Sequence, residues 1–214
     1  MPYSHLDHQG IQDADLRKVF EHADDYLHDV YGMLRLLPPP DRDGGGGNFA
    51  ASLVLLCVVD GLARIWPGSS AIKDPEKRFK KLIERRLHWG PEGNGKWLHK
   101  GTAADQLYAE FRNPLVHELG SDKSATSRLP GYEEPIIGTW GGLPDELQNV
   151  GAIDRLEAWN DQWPILGDAP EPDENGKPRL KLTIAGLYWA VKRLTVELLE
   201  ECKSGQSKHR VTAS

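Results

Sequence analysis

The sequence predicts an all-α protein: an antiparallel bundle of four to five helices with an irregular, partly β insertion before the last helix. Three observations predict it. Apolar residues recur at intervals of three and four in several separate stretches. Proline- and glycine-rich punctuation falls between those stretches. Residues of about 121–180 then break the pattern with Gly, Pro and acids before the helical period returns. No internal repeat is visible, and 214 residues suit one domain with room for a core.

The first helix is expected over 13–37, where Leu16, Val19, Phe20, Ala23, Leu27, Val30, Leu34 and Leu37 keep the helical period. Pro38, Pro39 and Pro40 stop it, and 41–47, with four consecutive glycines, reads as a flexible loop. A second helix at about 49–66 is apolar nearly all round, which places it at the centre of a bundle. Asp74-Pro75-Glu76 opens a third helix with a capping Asp, a Pro at the first position and an acid in the first turn. Thr102, followed by Asp105, offers the cap of a fourth helix ending near Gly120. The insertion holds a β-like stretch around 135–140. From Leu182 a fifth helix closes the core, and a polar tail of about 204–214 follows.

Composition excludes several classes. The longest apolar run, 49–59, is interrupted by Ser52 and is too short for the roughly 18 to 20 residues of a membrane span. The first residues have neither the basic nor the apolar region of a secretory signal, so the expected location is cytoplasmic. Cys57 and Cys202 form neither a disulfide framework nor a CxxC site. The histidines have no ligand spacing, and there is no HExxH, P-loop or GxGxxG, so neither metal nor cofactor is expected. The formal net charge of -6 is unevenly spread. Residues 73–86 carry seven bases against three acids, whereas 129–176 carry eleven acids against Arg155 alone.

Chemistry concentrates in Phe111-Arg112-Asn113-Pro114-Leu115-Val116-His117. Leu107, Tyr108, Phe111, Leu115 and Leu119 trace an inward stripe, and Arg112 and His117 flank it. In an ideal helix these two stand about 140° apart, so a shared task requires the kink that Pro114 introduces, the reach of Arg112, or a second protomer. Such a proline costs about 3 kcal/mol in a regular helix, and violations of this kind often mark functional sites. Arg112 offers a charged fork suited to a phosphate oxygen, His117 exchanges protons near neutrality, and Asn113 orients a neighbour or ligand. The bland alternative is a surface Arg and a His set against the helix C-terminal dipole before Gly120. Asp60 interrupts an apolar helix and needs a partner. It either orients Arg112 or pairs with Arg64, four residues on.

The run Arg112-Asn113-Pro114-Leu115-Val116-His117, on a helix within a bundle, resembles the Arg-polar-x3-His signature of the HEPN superfamily of prokaryotic defence and toxin ribonucleases. The likeness spans the bundle pattern of about 13–120 and 182–203, with residue identity confined to the motif. It implies a metal-independent endoribonuclease, usually a homodimer whose two motifs face one composite site, with Arg112 and His117 catalytic and Asn113 the intervening polar residue. An antitoxin or regulatory protein is an implied partner, although Leu119 stands where the toxin subgroup often has Tyr. The alternative is a catalytically inactive HEPN-like dimer that binds RNA or a protein. In either reading Lys77, Arg78, Lys80, Lys81 and Arg85 of the basic helix are the expected RNA contacts, set against the default of a solvated face.

Overall fold

The structure is a computed structural model and describes residues 3–36, 46–87, 103–105, 107–112, 133–138 and 179–205. It is an all-α bundle of long helices with a small strand pair contributed by the insertion. Helix α1, Ala14–Leu36, starts where the Asp13 carboxylate accepts the backbone N–H groups of Asp15 and Leu16 at 2.9 and 3.0 Å, which satisfies donors that the first helical turn leaves free. Its inward face is Leu16, Phe20, Ala23, Leu27, Val30, Tyr31 and Leu34.

Helix α2, Gly46–Ile65, begins earlier than the periodicity suggests and takes Gly46 and Gly47 out of the expected loop. It packs against α1 and against two later helices, α3 (Pro75–Arg86) and α4 (Ile184–Lys203), and so holds the central position expected of it. The expectation of all-round burial needs correction, because Ala50, Cys57 and Arg64 are exposed along one side, with Leu53, Val54, Asp60 and Gly61 half-buried beside them. Apolar composition here reflects packing on most sides of the helix, with one strip left partly open.

A 3-10 turn at Pro67–Ser69 follows. A Cβ placed on Gly68 would meet the Trp66 ring at 2.2 Å, so the turn closes over buried Trp66 only with glycine there. Helix α3, Pro75–Arg86, is capped by Asp74, whose side chain accepts from the Glu76 and Lys77 backbones, as the sequence predicts. Phe79, Leu82 and Ile83 face inward, and Arg86 reaches across to Glu201 and Glu197 of α4, Ile184–Lys203.

Strand β1, Glu133–Gly138, pairs in parallel with β2, Arg179–Thr183, in a register that aligns Ile137 with Leu182. The β-like stretch is thus real but begins two residues earlier than expected. β2 runs directly into α4, so the fifth predicted helix begins at Ile184 rather than Leu182. None of the described helices is long and apolar enough to cross a membrane.

A strap of residues 3–11 lies over α1, held by one buried carboxylate. Asp24 accepts from the Tyr3 hydroxyl at 2.7 Å and the Leu6 N–H at 3.2 Å, and His5 Nδ1 lies 2.8 Å away. Lys192 of α4 sits over the Tyr3 ring at 4.5 Å, and Lys203 bonds Asp7 at 3.3 Å, so the strap also touches the far end of the bundle.

Candidate functional site around Arg112

The chain reaches this site through helical residues 103–105 and a π-helical segment, Leu107–Arg112. The sequence predicts a regular helix here, and the wider turn is a correction. Its physical origin lies partly just beyond it: Pro114 has no N–H to return to the preceding turn, and π turns form where the regular hydrogen-bond ladder is interrupted. Leu107 and Phe111 are fully buried, so the predicted inward stripe survives the change of pitch. Leu115, Leu119, Asn113 and His117 lie outside the described residues, and so does the angle between Arg112 and His117.

Arg112 ends the segment and meets α2. Its Nη2 donates to Asp60 Oδ2 at 2.6 Å, with both side chains about four-fifths buried (18% and 20% exposed). Of the two partners the sequence offered to Asp60, the carboxylate engages Arg112. Arg64, the other, is exposed and has no ion-pair partner among the described residues. Burial works against the charge on Arg112, yet the Asp60 hydrogen bond and charge outweigh it and hold the guanidinium pKa above its ordinary value. The guanidinium therefore stays charged throughout the accessible pH range.

Tyr108, one turn back, supplies the second support. The Arg112 guanidinium carbon lies 5.2 Å from its ring centroid, and Lys80 Nζ of α3 lies 5.4 Å from it. The same ring meets Phe79 edge-on at 5.3 Å. Tyr108 thus bridges α3 to Arg112, with both cations over its ring. Burial raises the Tyr108 pKa, against the opposing pull of Arg112, so the hydroxyl stays protonated at neutral pH. Sequence reasoning placed Tyr108 only in the inward stripe. The missed signal was an aromatic residue four positions before Arg112, a spacing that stacks side chains on one helical face.

The basic helix divides into tied and open cations. Lys80 bonds Glu76 at 2.6 Å and Asp105 at 2.9 Å, and these acids keep its pKa raised despite burial. Lys77 is exposed and only 4.0 Å from Asp74, Arg85 is exposed, and Lys81 is half-buried. Arg78 is half-buried, with its Nε shielded and without a hydrogen-bond partner. Cys57, one turn before Asp60 on the open strip of α2, is a free thiol whose pKa is pushed up by partial burial and by Asp60. Its reactive thiolate is therefore scarcer at neutral pH than that of an ordinary cysteine. Among the described residues no group of three or more His, Cys, Asp or Glu is placed to hold a metal ion.

The arrangement presents one fixed guanidinium, about one-fifth open to solvent, beside a cationic helix. Such a group hydrogen-bonds a phosphate oxygen through its remaining N–H donors without first having to be ordered. Compared with known family models, curated proteins and solved structures, the chain matches none of them.

Proposed function

We propose that this chain is a metal-independent endoribonuclease that works as a homodimer in the cytoplasm, in prokaryotic defence or stress response. The observation that carries this reading is the Arg112 guanidinium, anchored by Asp60 at 2.6 Å and backed by Tyr108, at the start of the run that resembles the HEPN ribonuclease signature. In the reaction, His117 takes the proton of a ribose 2′-hydroxyl. The O2′–P bond forms, the P–O5′ bond breaks, and a proton passes to O5′ from the second histidine of the composite site. Arg112 stabilises the charge that builds on the phosphorus oxygens. The products are a 2′,3′-cyclic phosphate and a free 5′-hydroxyl, and DNA, lacking the 2′-hydroxyl, is spared.

Incubation with RNA in EDTA tests this. Wild type cleaves RNA and leaves matched DNA intact, His117→Ala loses about 10² to 10⁴ in rate, and Arg112→Ala loses about 10² to 10³. Cleavage that stops on chelation, or that survives in both variants, sinks the proposal. A second reading has its own support: a guanidinium already neutralised by a carboxylate also suits a catalytically inactive dimer that binds RNA or a protein partner. That reading expects RNA bound and uncut.

A further inference from the structure

The ion pairs of α3 separate five of its six cations into two groups with different work, and half-buried Arg78 belongs to neither. Lys80 is claimed by Glu76 and Asp105, and Arg86 by Glu197 and Glu201. Lys81 and Arg85 have no ion-pair partner among the described residues, and Lys77 has only Asp74 at the outer limit of contact. The open cations are regularly spaced. At about 100° per residue, Lys77, Lys81 and Arg85 stand about 60°, 100° and 140° round the helix from Lys80, on the side away from buried Phe79, Leu82 and Ile83. Successive members rise about 6 Å along the axis, a step close to the separation of neighbouring phosphates in one RNA strand. Lys80, the near edge of this stripe, touches the Tyr108 ring that also carries Arg112. Helix α3, which carries the stripe, is thus the element that adjoins the Arg112 segment.

We infer that Lys77, Lys81 and Arg85 form the track for the RNA backbone, contacting about three phosphates, and that Lys80 and Arg86 hold the fold together and touch no substrate. This rests on the ribonuclease reading for its direction towards Arg112, but it is measured by binding rather than by cleavage. Glu84, exposed among the three cations, opposes the strand, as does Asp74 at the N-terminal end of the stripe.

The test measures anisotropy of a labelled short oligouridylate with the full chain in EDTA, in a His117→Ala background, between about 50 and about 200 mM salt. The combined variant Lys77→Gln/Lys81→Gln/Arg85→Gln weakens binding about tenfold or more at the low-salt end. It also reduces the slope of log affinity against log salt by about 2, from three phosphates at about 0.7 each. Glu84→Gln tightens binding about twofold. Lys80→Gln and Arg86→Gln lower the melting temperature and keep the parental slope. The inference is overturned if the triple variant keeps that slope, if Lys80→Gln or Arg86→Gln reduces it equally, or if the parent binds no oligouridylate. Failure of the two readings is separable. Cleavage in EDTA by wild type with an unchanged slope in the triple variant removes the track and leaves the ribonuclease. The expected loss of slope with no cleavage by wild type does the reverse.

Discussion

Two carboxylates interrupt the apolar helices of this bundle, and they are satisfied in opposite ways. Asp24 of α1 is 3% exposed and collects several donors from one strap: a hydroxyl, a backbone N–H and a histidine ring nitrogen. Asp60 of α2 sits within water's reach and spends its charge on one guanidinium from a distant segment. Many donors around a closed carboxylate fix chain geometry, since each would be left unsatisfied without it. A single charge pair at a boundary orients one side chain while leaving its far side free. The first carboxylate is architecture, and the second positions a single guanidinium.

Substitutions test that contrast. Asp24→Ala leaves the Tyr3 hydroxyl and the Leu6 N–H without their acceptor and lowers stability by about 3 kcal/mol, about 9 °C in melting temperature for a chain of this size. Thermal unfolding measures it, and limited proteolysis within residues 3–11 reports release of the strap. Asp60→Ala costs less, about 1 to 2 kcal/mol, because solvent reaches the stranded guanidinium. A double-mutant cycle with Arg112→Ala gives a coupling of about 1 kcal/mol. On the ribonuclease proposal, RNA cleavage by Asp60→Ala falls about tenfold even where the protein is fully folded, because Arg112 loses its orientation. Equal melting losses for the two Asp variants would erase the distinction.

The smallest effect is at Tyr3, where replacement by Phe costs about 1 kcal/mol. Burial, followed by the Asp24 hydrogen bond and charge, holds the Tyr3 hydroxyl pKa well above its ordinary value of 10.0. The unfolded chain therefore releases this proton first as pH rises. The folded state binds more protons above about pH 10, so the contribution is complete below that pH and falls as pH climbs beyond it. Melting curves collected from about pH 9 to about pH 12 are flatter in Tyr3→Phe than in wild type. Parallel curves would show that burial and Asp24 do not hold this hydroxyl above its ordinary value.

Local features of the fold were legible in the sequence. The period of α1, the Asp74 cap and the apolar run of α4 are written in neighbouring residues, where helix physics acts over one or two turns. The start of α2 was not, because Gly46 and Gly47 read as loop wherever tertiary packing is left out. The π segment hid because Leu107 and Phe111, four apart, satisfy either pitch. The site was half legible. Arg112 stood out by residue type and Asp60 by its misfit, but their pairing joins residues 52 apart, and periodicity gives no distance at that range. The Asp24 node left no trace in any pattern, since its donors arrive from a strap with no period of its own. The basic helix was visible as a charge excess, whereas which of its cations are free depends on acids of α4 and of the segment before Tyr108.

Helix α4 buries Ile184, Leu187, Tyr188, Val191, Leu194, Leu198 and Leu199 against α1 and α2, yet it follows α2 in the chain by more than a hundred residues. On the ribosome that separation becomes a delay. At about 5 to 20 residues per second, the inner faces of α1 and α2 wait roughly ten seconds for the helix that covers them. During that interval Leu27, Leu55 and Leu62 are presented to whatever binds apolar segments of nascent chains. Production of this protein is therefore expected to depend on chaperone supply far more than its charged, open surface would suggest.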